Sequence, residues 1–280
     1  MCLKLREEQC IEACGLSVGN LEDLSNNIHQ NTQIIFEFLY ICRQGLSQHF
    51  AAILANKSQS SISQNFGSVL ENLSHSFVPN WLSSSAFSRD SVINENTPNM
   101  FKELFPNVRG CIDGTYFYSE KSQVFDAQRK TYNSHKGRNL LKEMAVVLPN
   151  GKFFDFIGPI FSDGDHSDEW MWIYIMENNL SDIKTTFKIE EDEFLADRGF
   201  LHIENEEDMF TLQCPIGLKP KQRQLSNQDA NKSRLITRFR NVIERSFGRL
   251  KLRWKILGNT ISTNLWPKLH SLLRALTSIF

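Results

Sequence analysis

Three carboxylates stand out for the company they keep. Asp113 lies in CIDGTYF (111–117), Asp197 in FLADRGF (194–200) and Glu244 in RNVIERSFGRLKLRW (240–254). The first two close apolar runs of strand character. The third sits in a strongly basic helical stretch, 47 residues beyond the second. Hard oxygen ligands converging from separate elements are what two divalent ions, Mg2+ or Mn2+, require when held about 4 Å apart for phosphoryl transfer. In that chemistry one ion activates a water or hydroxyl and the other stabilises the departing oxygen. Neighbouring arginines and lysines then hold phosphate oxygens.

Each acid also has a plainer reading. On a strand from Gly110 to Phe117, residues Cys111, Asp113, Thr115 and Phe117 share one face, and an acid buried there needs a partner or a metal. Asp-Gly is equally a common turn pair. Asp197 follows Phe194-Leu195-Ala196, at the strand end where open α/β sheets gather ligands, but a capping or ion-paired aspartate looks the same. In the helical stretch, Leu235, Phe239, Val242, Ile243, Phe247, Leu250 and Trp254 form an apolar stripe, while Arg234, Arg238, Arg245, Arg249 and Arg253 recur at mostly four-residue spacing. Glu244 is the only acid from residue 230 onward, and an i,i+4 pair with Arg240 would also account for it. Three plain readings at once are less economical than one shared metal centre. The segment SDGDHSDEWMW (162–172) adds Asp163, Asp165 and Asp168, yet it lacks the glycine and terminal glutamate of an EF-hand, and Asp168 reads as a helix N-cap.

The elements that must position these acids follow from periodicity. RGCIDGTYFYS, LLKEMAVVLPNG, KFFDFIGPIFS, EFLADRGF and FTLQCPIG are strand candidates bounded by Gly or Pro. Pro149-Asn150-Gly151 predicts a tight hairpin, so the first three strands form a meander. Helices are expected at 168–179 and 232–253. Upstream, Ile34, Ile35, Phe38, Leu39 and Cys42 mark an amphipathic helix. Residues 45–73 read as two short helices around an Asn-Lys-Ser break with Ser58 as N-cap, a helix-turn-helix candidate or an ordinary helical hairpin. Its second helix, 59–70, contains no Lys or Arg. Residues 74–108 read as an irregular connector. The expected organisation is a helical domain over 1–80, a connector over 81–104 and a catalytic domain over 105–280.

The formal net charge of −1 conceals two opposed blocks. Residues 151–213 are acidic and residues 215–280 basic, as a cation-binding centre beside a polyanion-binding surface would be, or two mutually attracting segments. A second basic stretch, FDAQRKTYNSHKGRNLLK (125–142), interleaves Arg129, Lys130, Lys136 and Arg138 with aromatic residues and can track a nucleic-acid backbone. Six scattered cysteines without CxxC pairs suit reduced thiols in the cytosol or nucleus. Cys10 and Cys14 share a helical face but have no partners for a zinc site. Neither a membrane span nor a secretory signal is expected.

At CIDGT (111–115), LPNGKF (148–153), SDEW (167–170), LADRGF (195–200) and IERSFGRLKLRWKIL (243–257), the chain resembles the transposase-derived nucleases of the PIF/Harbinger superfamily. The resemblance implies a DDE endonuclease of ribonuclease-H-like fold: an α/β mixed sheet flanked by helices, preceded by a small all-helical helix-turn-helix domain. It places the metal-binding, catalytic triad on Asp113, Asp197 and Glu244, with two Mg2+ or Mn2+ ions. The implied DNA contacts include Arg129, Lys130, Lys136, Arg138, Arg245, Arg249, Lys251 and Arg253. It further implies action on DNA ends such as terminal inverted repeats, a separate DNA-binding partner protein in trans, room for self-association, and a nuclear location.

Overall fold

The structure, a computed structural model, describes residues 5–201, 203, 208–218 and 223–279. They fall into two units that do not follow chain order. One comprises residues 1–81, 117–122 and 249–280, the other residues 82–116 and 123–248. Among the described residues no helix is long and apolar enough to cross a membrane.

The first unit begins with α1 (Glu7–Cys14), α2 (Val18–Ile28), α3 (Thr32–Gln44), α4 (Gln48–Ala55) and α5 (Gln59–Asn72). Their short lengths are set by punctuation. Ser17, Asn31, Ser47 and Ser58 each accept a backbone N–H in the first turn of α2 to α5, worth about 1 kcal/mol apiece. Gly15, His29, Gly45 and Asn56 end α1 to α4 in the left-handed conformation. Ile35, Phe38, Leu39 and Cys42 of the α3 stripe are buried and Ile34 half-buried, with Phe38 against Phe66 of α5 at 4.7 Å between ring centroids. The far end of the chain completes this core. Leu269, Leu272, Leu273 and Leu276 of the helix Leu269–Ser278 are buried, and Trp254 is enclosed with its Nε1–H donating to the Leu276 carbonyl at 2.9 Å.

The second unit is built on a sheet of β1 (Val108–Tyr118), β2 (Tyr132–Asn133), β3 (Arg138–Val147), β4 (Phe153–Phe161), β5 (Glu193–Leu195) and β6 (Thr211–Gln213). The order is β2-β3-β1-β5-β6, with β4 also paired to β3. β3 and β4 are antiparallel, whereas β1 with β5 and β5 with β6 are parallel. Helices α6 (Phe125–Thr131), α7 (Asp168–Glu177) and α8 (Asn227–Arg253) intervene. This is the expected α/β mixed sheet flanked by helices after a helical segment, including the meander and the hairpin. Gly151 turns that hairpin at φ +93°, a conformation that strains any side chain. On one side of the sheet Ile112, Met144, Val146 and Phe154 pack with Trp172, Ile175 and Met176 of α7. Helix α8 is held by Phe239 against Phe101, at 4.5 Å, and by Phe247 against Phe153. Its Ser246 hydroxyl donates to the Gly151 carbonyl.

Residues 74–108 are not the irregular connector their prolines and serines suggest. They form short helical elements, including Ser83–Ala86, Arg89–Asn94 and Asn99–Leu104. Their order comes from distant partners: Val92 is fully buried, Ser83 donates to Asp155, and Arg89 reaches Asp192. Asp192, immediately before β5, is shared by Arg89 and by Arg109 of β1, at 2.7 and 2.6 Å, and its side chain is wholly buried. Burial pushes the Asp192 carboxyl up, but hydrogen bonds from Arg89, the Lys188 N–H and Arg109 outweigh it and hold the group below the ordinary carboxylate range. Removing one member of a buried pair strands the others, so Asp192→Ala should destabilise the protein by about 3–5 kcal/mol. The measurement is the urea midpoint, with the exposed neighbour Glu191→Ala close to wild type.

Candidate active site

Parallel pairing of β1 with β5 aligns Cys111 with Leu195. Two residues further along each chain stand Asp113, midway along β1, and Asp197, just past the carboxyl end of β5, close enough for their charges to act on one another. Asp197 follows the three-residue β5 and caps a 3-10 turn over Arg198–Phe200, its Oδ1 accepting the Gly199 N–H at 2.6 Å. The strand read through to Phe200 is therefore cut short by its own acid. Asp113 stays within β1 with a side chain only 17% exposed, so the turn reading of Asp113-Gly114 does not apply.

Glu244 projects from α8 and is more than half exposed. It reaches the other acids through Arg240. One arm of that guanidinium, Nη1, donates to Asp113 Oδ2 at 2.9 Å, and the other, Nη2, donates to Glu244 Oε1 at 2.8 Å. The i,i+4 pair expected on the helix thus exists, but it extends to Asp113 of β1. Arg240 is the residue that helix spacing alone leaves undervalued.

A fourth acid joins from α7. The N-cap of that helix is Ser167, whose hydroxyl accepts the Trp170 N–H, not Asp168. Relieved of capping, Asp168 turns toward β1, where Gly114 makes room: a Cβ there would lie 2.6 Å from Asp168 Oδ1. The Lys142 ammonium of β3 sits 2.8 Å from the same oxygen, a Coulombic contact whose angles do not make a hydrogen bond, and it donates to the His166 carbonyl. Asp163 is engaged with His166, and Asp165 is exposed.

These charges feel one another. Burial pushes the Asp113 carboxyl up to about 6; the Arg240 charge opposes the rise, Asp197 and Asp168 add to it, and the Gly114 N–H offsets a little. Burial and the same three aspartates push Tyr116 up to about 12. Among the described residues no group of three or more His, Cys, Asp or Glu is gathered as a ready metal cage. The donor chemistry nevertheless fits a divalent ion. Asp113 and Asp197 supply hard carboxylate oxygens, and Asp113, raised first by burial and then by its acidic neighbours, is a group whose charged form a cation would favour. Glu244 offers the same donor type, with its Oε1 accepting from Arg240.

The basic residues divide sharply. Arg234, Arg238, Arg245 and Arg249 are exposed along α8. Lys251 and Arg253 are turned inward: Lys251 lies 4.8 Å over the Phe117 ring, with burial pushing its amine down to about 8, and Arg253 donates to the Gly15 carbonyl at 2.8 Å. Arg129, Lys130, Lys136 and Arg138 are exposed on α6 and around β2 and β3, with Lys130 resting 5.2 Å over the Phe161 ring.

A family model described as DDE superfamily endonuclease matches residues 112–280, a span that includes Asp113, Asp168, Asp197, Arg240 and Glu244. No curated protein and no solved structure matches the chain.

The Asp113 shift has a testable sign. A carboxyl whose folded value is about 6 against 3.8 takes up a proton on folding between those limits. Its contribution to stability is full below 3.8 and is lost as pH rises through 6. In EDTA, the stability of wild type relative to Asp113→Asn should fall across that window, and a flat difference in urea unfolding would contradict the placement.

Proposed function

The chain belongs to the DDE superfamily endonucleases, and from that membership we propose that it cuts and joins DNA ends in the manner of PIF/Harbinger transposases. The observation that carries this reading is the approach of Asp113, within β1, to Asp197, just past the end of the parallel β5, with Glu244 tied to Asp113 through Arg240. Asp113, Asp197 and Glu244 would hold Mg2+ or Mn2+. Ions bound there supply Lewis-acid activation of a water or 3′-hydroxyl and charge stabilisation of the leaving oxygen. The remaining tasks belong to the chain. Burial within β1 removes competing water from Asp113, and the Gly199 N–H orients Asp197. Lys142 offsets the charge of Asp168 beside them.

DNA would be held by the exposed arginines of α8 and by Arg129, Lys130, Lys136 and Arg138. Exposed guanidiniums at helical spacing neutralise phosphates without reading bases, so sequence choice falls to another surface, to a separate DNA-binding protein in trans or to a second copy. Such a substrate implies work in the nucleus. A second reading, a catalytically silent DNA-binding or assembly protein, is supported by Arg240, whose guanidinium pairs with two of the acids.

Cleavage of terminal-inverted-repeat DNA with Mg2+ or Mn2+ separates the two readings. Asp113→Asn, Asp197→Asn and Glu244→Gln should each lower the rate by roughly 100-fold or more. Equal cutting by wild type and an Asp113→Asn, Glu244→Gln double variant would remove the enzymatic reading. Binding that persists in EDTA, with no cutting under either ion, would establish the silent one. The double variant Arg238→Gln, Arg245→Gln should make the slope of log affinity against log salt shallower by about 1.8, two phosphate contacts at roughly 0.9 each.

A further inference from the structure

Arg240 deserves a role of its own. Its side chain is 14% exposed and forked, one nitrogen on Asp113 of β1 and the other on Glu244 of its own helix. A guanidinium cannot lose its proton, so this charge leaves the site only by moving. Four acids meet here, Asp113, Asp168, Asp197 and Glu244, against two cations, Arg240 and Lys142. With Arg240 seated, the surplus negative charge matches a single divalent ion, on the side of Asp113 and Asp197. While Arg240 is seated, one oxygen of Glu244 is taken and its charge is already balanced, which weakens its hold on a second ion.

Resting on the metal-dependent reading above, we propose that Arg240 is a positioning residue that acts as the internal counter-cation of the metal-free site and competes with divalent ions for Asp113 and Glu244. Loading is then stepwise. Asp113 and Asp197 would hold one ion, and Arg240 would have to yield Glu244 Oε1 before that carboxylate could offer both oxygens to another. The released guanidinium suits a phosphate oxygen, which it can grip with two parallel hydrogen bonds.

The competition predicts an unusual sign. Removing a residue that only supports the site weakens metal binding, whereas removing a competitor strengthens it. Isothermal titration of the full chain with Mn2+ should show Arg240→Gln binding about tenfold tighter than wild type, within the usual range of coupling between sites. Without metal, Arg240→Gln should melt at a lower temperature, because Asp113 is left buried beside like charges, and Mn2+ should raise its melting temperature more than that of wild type. Arg240→Lys keeps the charge but loses the fork, so it should fall between the two in Mn2+ affinity. Mn2+ affinity equal to or weaker than wild type in a folded Arg240→Gln protein overturns the proposal. If that variant does not fold, the same outcome in Arg240→Lys overturns it. Asp197→Asn is the control that separates the two levels. If wild type binds Mn2+ and Asp197→Asn does not, a failure at Arg240 sinks only the competition. If no variant and no wild type binds Mn2+, the metal reading falls and takes this inference with it.

Discussion

The register of β1 against β5 is the constraint from which the rest of the site follows. Parallel strands pair through evenly spaced but slanted hydrogen bonds, and β5 has only three residues with which to hold its place. The missing grip is supplied before the strand begins, where Arg109 of β1 and Arg89 close on Asp192. That clasp joins one end of the strand pair. At the other end, the same register brings Asp113 level with Asp197. A slip of one residue would turn Asp113 to the opposite face and leave two unrelated surface acids.

Charge then explains why the site looks as it does without ions. Bringing carboxylates together in a partly buried place costs free energy that folding must offset locally. Two cations do so from different directions: Lys142 of β3 faces Asp168, and Arg240 of α8 faces Asp113 and Glu244. Asp113 still carries a raised carboxyl, so the balance is incomplete. A further positive charge placed there would complete it.

Much of this was legible in residues whose type interrupts a pattern. Asp113 and Asp197 break apolar strand runs, and Glu244 is the lone acid of a basic segment, so all three announce themselves. Arg240 does not, because its second arm reaches a strand 127 residues away and no helical periodicity encodes that reach. Asp168 was hidden by the adjacent Ser167, which takes the capping role and frees its neighbour. Lys251 and Arg253 look identical to Arg245 and Arg249 along the chain. Only packing against Phe117 and the Gly15 carbonyl separates them. The same holds for the N-terminal helices, whose apolar stripes call for a cover without naming the segment 249–280 that helps to provide it.

Gly114 gives the site a vulnerability of another kind. A side chain of one carbon at that position would meet Asp168 at 2.6 Å, while Lys142 keeps its hydrogen bond to the His166 carbonyl. The smallest change available to a codon, a single added methyl, is therefore enough to move an acid while every carboxylate remains in the chain. Reading the acids alone would miss such a change, and the residue to inspect beside them is a glycine.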